Sequence, residues 1–206
     1  GSFRKPPKNT LYFGNAGTPC RLMQGLICTS DLKIKLTGDS SLTKRPMKRC
    51  ITPLSQVGAN FYPKNKTTLP LTIEGTSLPL AQKHFENLRS AQVKSAICLS
   101  ALNTPGITTI QATPSRDHTE NLLKYVKADI KIQKSKKGSL IMLRGQKNLF
   151  SFNLEIFGDQ SSCAPFIILA LLTPKSKLII KNLNCSHARL GFIEMLKKMN
   201  GKIKIV

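Results

Sequence analysis

The side chains best suited to chemistry in this chain are those that hold anions. The run GNAGTPCR at residues 14–21 interrupts two apolar stretches, LYF before it and LMQGLIC after it. Gly14 ends an extended run, Thr18 has the side chain of a helix cap, and Pro19 suits a first helical position because it has no N–H to lose. A helix start of this kind presents backbone N–H groups and the positive end of a dipole. Gly14 and Gly17 let a ligand come close to the backbone, and Arg21 adds a fixed charge one turn in. Similar sets recur: Ser90 with Gln92, Asp159 with Ser161, Lys44 with Arg45, Ser115 with Arg116, and Ser186 with Arg189. One such set is an ordinary cap. Several brought to the same end of a domain would suit a ligand that carries both phosphate and carboxylate groups.

The elements that must position these residues follow a repeat. An apolar helix from Thr18 leads to a strand at 32–36 and a second, amphipathic helix at about 45–56 that ends before Gly58. The order returns as a helix at 90–102 capped by Ser90, a strand at 107–112 and a helix at 116–127. It returns again as 161–172, 177–183 and 189–200. Thr18, Ser90 and Ser161 lie 72 and 71 residues apart, and Arg45, Arg116 and Arg189 lie 71 and 73 apart. Three βαβα units are implied, with the segments 69–75 and 139–145 as closing strands and 64–68 as a loop. The first helix of each unit is apolar on all sides, so it is expected to be buried among sheets; the second carries Lys on an outer face. Gly158 and Asp159 mark a turn at which a hinge between units is expected.

Composition narrows the classes. The chain has 206 residues, 40% of them hydrophobic, and a net charge of +22 from 32 Lys and Arg against 10 Asp and Glu. Its basic residues are scattered, with local clusters at 127–137 and 181–204, so solvated lysine faces and a polyanion partner both remain open. No apolar run reaches the roughly 18 residues of a membrane span, and the first residues lack the apolar core of a signal peptide, so a cytoplasmic location is expected. Six cysteines form no CxxC pair and three histidines stand apart, so no metal site and no disulfide framework are expected.

The runs GNAGTPCRLMQGL, LTGDSSLTKRPMKRCITPLSQVGA, LPLTIEG, SAQVKSAICLSAL, TTIQATPSRDHTENLL, FGDQSSCAPFIILALLTP and ARLGFIEMLKKM resemble, in that order, the EPSP synthase (3-phosphoshikimate 1-carboxyvinyltransferase) family. The resemblance covers nearly all of residues 11–201. It implies an α/β (α+β) fold of repeated βαβαββ units, buried helices flanked by sheets in an inside-out α/β barrel, here incomplete. Residues 1–155 would be two units of one globe and 156–206 the first unit of the other. The implied reaction moves the enolpyruvyl group of phosphoenolpyruvate to the 5-hydroxyl of shikimate 3-phosphate, a step of aromatic amino-acid biosynthesis.

By the same resemblance, Asn15 and Gly17 pack against phosphoenolpyruvate and Arg45 grips its phosphate. Ser90 and Ser115 hold the shikimate phosphate, Ala91 stands where some members have another serine, Gln92 lies against the shikimate ring, and Arg116 lines the site. Arg21 and Asp159 belong to the cleft without an assigned contact. Glyphosate competes for the phosphoenolpyruvate position in this family, and Gly17 is glycine as in members open to it. The family's N-terminal Lys, Ser and Arg contacts and its proton-transferring Asp and Glu have no counterpart here. The catalytic residues are therefore expected outside these residues, and the isolated chain is expected not to turn over. No cofactor, nucleic acid or membrane partner is expected, and the full-length enzyme is expected to be a monomer. The alternatives are the related enolpyruvyl transferase acting on UDP-N-acetylglucosamine, a basic RNA-binding module like the RNA 3'-phosphate cyclases, and a decayed gene product.

Overall fold

Burial alternates along the segments 33–37 and 107–112, which gives each a buried face and an exposed one, as suits central strands. A computed structural model describes residues 9–185 and 190–205, and its contacts divide the chain into two units that meet between Ser151 and Phe152.

The first unit contains two copies of one design. The first copy runs β1 (Thr10–Tyr12), α1 (Gly17–Cys28), β2 (Lys33–Thr37), α2 (Lys48–Ser55), β3 (Asn60–Tyr62) and β4 (Leu71–Glu74). The second runs β5 (Lys83–Glu86), α3 (Ala91–Asn103), β6 (Ile107–Ala112), α4 (His118–Tyr125), β7 (Ile130–Ser135) and β8 (Gly138–Arg144). Each forms a four-stranded sheet, ordered β1-β2-β4-β3 and β5-β6-β8-β7. The first pair of each is parallel and the rest are antiparallel. Both are βαβαββ units, as the repeat implies.

Ile34, Leu36, Leu71 and Ile73 of one sheet, and Ile110, Ile141 and Leu143 of the other, share a core with α1 and α3. The two helices touch through Gly25, where an added Cβ would lie 2.1 Å from the carbonyl oxygen of Ala96. Helix α3 is buried without a break from Val93 to Cys98, Lys94 and Ser95 included. A glycine also closes each sheet onto its own helix. A Cβ at Gly75 would meet the carbonyl oxygens of Ile27 and Ser30, and one at Gly145 those of Ala101 and Thr104.

Helix starts differ from the expected ones. Helix α1 begins at Gly17 with Ala16 as its uncapped N-cap, so Pro19 falls third in the helix, still among the N–H groups that have no intrahelical acceptor. The expected helix over 45–56 begins only at Lys48. A 3₁₀ turn at Leu42–Lys44 precedes it, and Arg45 is extended at ψ 135°, the conformation favoured before a proline such as Pro46. Helix α4 likewise starts later, with Asp117 as N-cap.

In the second unit, α5 (Gln160–Leu172) is capped by Asp159, whose carboxylate accepts from the Ser162 N–H at 3.0 Å and hydroxyl at 2.9 Å. Helix α6 (Gly191–Lys198) follows. The expected strand at 177–183 forms no ladder. Among the described residues of this segment, a parallel bridge between Gly158 and Leu183 is present, parallel like the β1–β2 and β5–β6 pairs of the two complete units. There the second strand also has an antiparallel neighbour; among the described residues of this unit there is none, and a single bridge is what remains. Helix α5, expected to be buried all round, exposes Phe166 (63%), Leu169 (64%) and Leu172 (77%).

Candidate functional site

The site grows from the loop between β1 and α1. Gly14 adopts φ +52°, a left-handed conformation that glycine enters without strain. Its carbonyl accepts the Asp39 N–H at 2.9 Å, which holds the loop that follows β2 against it. Asp39 in turn accepts from the Leu42 N–H at 2.7 Å and so starts the 3₁₀ turn that delivers Arg45. Arg45 reaches back across the cleft and donates to Asn15 Oδ1 and, at 3.3 Å, to the Ser41 hydroxyl.

Arg21 approaches from the other side. Its guanidinium donates to the Gly17 carbonyl at 3.4 Å, to Gln92 Oε1 at 3.2 Å and to the Pro46 carbonyl at 3.1 Å. An added Cβ on Gly17 would lie 3.0 Å from Nη1 of Arg21 and 3.1 Å from Nη1 of Arg45. The absent side chain is what lets both cations share this point. The hydrogen-bond partners of the two arginines named above are all neutral, and among the described residues neither has a carboxylate within 4.0 Å. Two guanidiniums without a carboxylate partner beside a helix start are chemically suited to hold an anion.

Gln92 carries the site into the second βαβαββ unit. Besides receiving the Arg21 bond, its amide nitrogen donates to the Thr18 hydroxyl at 2.5 Å. Thr18, expected to cap its own helix, thus ties α1 to the start of α3. Ser90 caps α3 as expected, accepting from the Val93 N–H at 3.4 Å. Ala91 opens the helix and offers no hydroxyl. Ser115 lies in the loop before α4, and its Oγ is buried without a partner among the described residues, beside a cavity of about 150 Å³. Arg116 is exposed next to it.

Asn15, Gly17, Arg21, Arg45 and Gln92 are therefore in direct contact or share partners, and Ser90 and Ser115 sit at the two helix starts of the second copy. Asp159 is a cap in the other unit, and Ser186 and Arg189 lie outside the described residues. Reading the sequence missed Glu86 and Thr113. The buried Glu86 carboxylate accepts the N–H groups of Leu88 at 3.0 Å and Ser90 at 3.1 Å, while Thr113 accepts from the Arg89 N–H at 3.1 Å and donates to Glu86 at 3.4 Å. These residues lace together the loops that carry Ser90 and Ser115. The signal was an acid ending a strand in a chain with only 10 of them.

Burial pushes the Cys20 thiol up to about 11, and Cys50 and Cys98 to about 12, while Cys28 is also strongly raised. None of these four is a thiolate nucleophile. No cluster of ligating side chains fit for a metal ion occurs among the described residues, and no helix there is long and apolar enough to cross a membrane.

Comparison with known proteins agrees with this fold. The family model for EPSP synthase (3-phosphoshikimate 1-carboxyvinyltransferase) matches residues 1–205. A 3-phosphoshikimate 1-carboxyvinyltransferase of Petrotoga mobilis is 44% identical over 97% of this chain and 46% of its own length. One of Parvibaculum lavamentivorans is 38% identical over 98% of this chain and 45% of its own length. The EPSP synthase structure from Acinetobacter baumannii superposes with a TM-score of 0.80 at 34% identity, over 95% of this chain and 43% of that one. The chain spans a little under half the length of the relatives it matches. With the repeated βαβαββ units, the paired arginines at Gly17 and a match that runs along almost its whole length, the chain belongs to the EPSP synthase (3-phosphoshikimate 1-carboxyvinyltransferase) family.

Proposed function

We propose that this chain supplies one wall of an enolpyruvyl-transfer site, at which the 5-hydroxyl of shikimate 3-phosphate adds to C2 of phosphoenolpyruvate, C3 is protonated and phosphate leaves. The observation that carries this reading is the convergence of Arg21 and Arg45, bound only to neutral partners, on the bare backbone of Gly17. Arg45 and Asn15 hold the phosphoenolpyruvate phosphate. Gln92, carried on the first turn of α3, lies against the shikimate ring, and Ser90, Ser115 and Arg116 hold the shikimate phosphate. Holding two anions in a reactive geometry lowers the entropic barrier to their reaction. No carboxylate accompanies the two arginines among the described residues, so proton transfer is not assigned to this wall.

Residues 1–155 act as two units of one substrate-binding globe and 156–206 as the first unit of a second, within a cytoplasmic monomeric enzyme. Thermal unfolding with shikimate 3-phosphate tests the reading, because a ligand that binds only the folded state stabilises it by about 2.7 kcal/mol at 100 times its Kd. A raised Tm that is lost in Gln92→Ala and Arg116→Ala supports it. An unchanged Tm at millimolar ligand sinks it.

A further inference from the structure

Helix α3 carries one charged side chain, Lys94, and it is 1% exposed. Its ammonium lies 2.5 Å from Glu120 of α4, itself 2% exposed. Taking both charges out of water offsets much of their attraction, and well-packed apolar side chains would stabilise the contact between the helices as well or better. Such a pair has a stronger rationale as a device that fixes geometry.

The geometry it would fix is specific. Lys94 lies one turn into α3, its N–H bonded to the Ser90 carbonyl at 3.1 Å. Glu120 lies in the first turn of α4, five residues after Ser115. Beside the pair, the hydroxyls of Ser95 and Thr119 meet at 2.6 Å. Lys94, Glu120 and Ser115 line the same cavity, in which Glu120 Oε2 and Ser115 Oγ have no partner among the described residues. The helix starts are thus cross-braced by a directional, charge-assisted contact, and a serine hydroxyl is left unused at its edge. The structure assigns Lys94 and Glu120 as positioning residues that set the spacing between Ser90 and Ser115, and hence the grip on the phosphate of the acceptor substrate. This rests on the reading of those serines given above.

The test pairs binding with a structural probe. Lys94→Met/Glu120→Leu removes both charges together, and Glu120→Gln keeps the shape of the carboxylate while removing its charge. The double variant is expected to melt at or above the wild-type temperature, yet bind shikimate 3-phosphate at least tenfold more weakly by calorimetry. Glu120→Gln is expected to lose less. Wild-type affinity in the double variant overturns the assignment. If the unaltered chain binds no shikimate 3-phosphate, the proposed function falls, and the clamp is judged by amide resonances alone. Those of Ser90 and Ser115 should shift in the double variant while those of β2 and β4 stay; unmoved Ser90 and Ser115 signals overturn it. Should the double variant fail to fold, Glu120→Gln is decided by the same two readouts.

Discussion

Gly17 shows how one missing methyl group shapes this site. Two guanidiniums stand within about 3 Å of the place its Cβ would take, so their charges focus on a short stretch of backbone. Charge-assisted hydrogen bonds contribute about 1.5–3 kcal/mol each. Arg45→Ala is accordingly expected to weaken phosphoenolpyruvate or inorganic phosphate binding by roughly 10- to 100-fold with little change in Tm, as titration calorimetry would measure. Arg21→Met should act more broadly, because its guanidinium also fastens Gln92 and the Pro46 carbonyl. Away from the site, His84 is 3% exposed with both ring nitrogens unpartnered among the described residues, and burial draws its pKa from 6.5 down to about 4. Above pH 6.5 neither the folded nor the unfolded imidazole holds the extra proton. Below it only the unfolded chain takes one up, until the folded pKa is reached, so stability falls as pH drops from 6.5 to 4. Urea midpoints at pH 7.5 and 5 should separate in the natural chain and separate less in His84→Leu.

At the scale of elements, the contact between α1 and α3 carries the most weight, because it joins two sheets and also lines up Arg21 with Gln92. It depends on Gly25. A methyl group there would drive into the backbone of Ala96, which cannot rotate away, so Gly25→Ala should cost about 3 kcal/mol or more and show as a lower urea midpoint. Ser90→Ala removes a cap, in addition to its proposed phosphate contact, and should cost about 1 kcal/mol of stability. Helix α5 presents the opposite case. Its apolar side chains are largely exposed, so Leu172→Lys should leave the melting temperature unchanged within error, as a thermal scan would measure.

For the whole molecule, charge and acid placement tell one story. With 32 basic and 10 acidic residues, few carboxylates are available. Lys33, Lys94, Lys134 and Arg144 pair with Glu74, Glu120, Asp117 and Asp129, Asp39 and Asp159 hold helix starts, and Glu86 braces a loop. Among the described residues neither Arg21 nor Arg45 has a carboxylate partner. The stretch between β8 and α5 is largely exposed and has no regular structure. Brief thermolysin treatment should cut first among residues 152–157, releasing a fragment that contains both four-stranded sheets and keeps its circular dichroism.

The sequence by itself determined the repeat, most of its helices and strands, and the family, because periodic burial and helix-start chemistry are written locally, as in the strand at 107–112 and the cap at Ser90. It also named Asn15, Gly17, Arg45 and Gln92. Only the tertiary structure decided what Arg21, Glu86, Lys94 and Thr18 do, because each acts on a partner far along the chain, and spacing cannot reveal which distant groups a fold brings within hydrogen-bonding distance. The same reason separates the two kinds of apolar helix. The sequences of α3 and α5 both read as buried, but burial needs a neighbour, and among the described residues only α3 is enclosed by its neighbours.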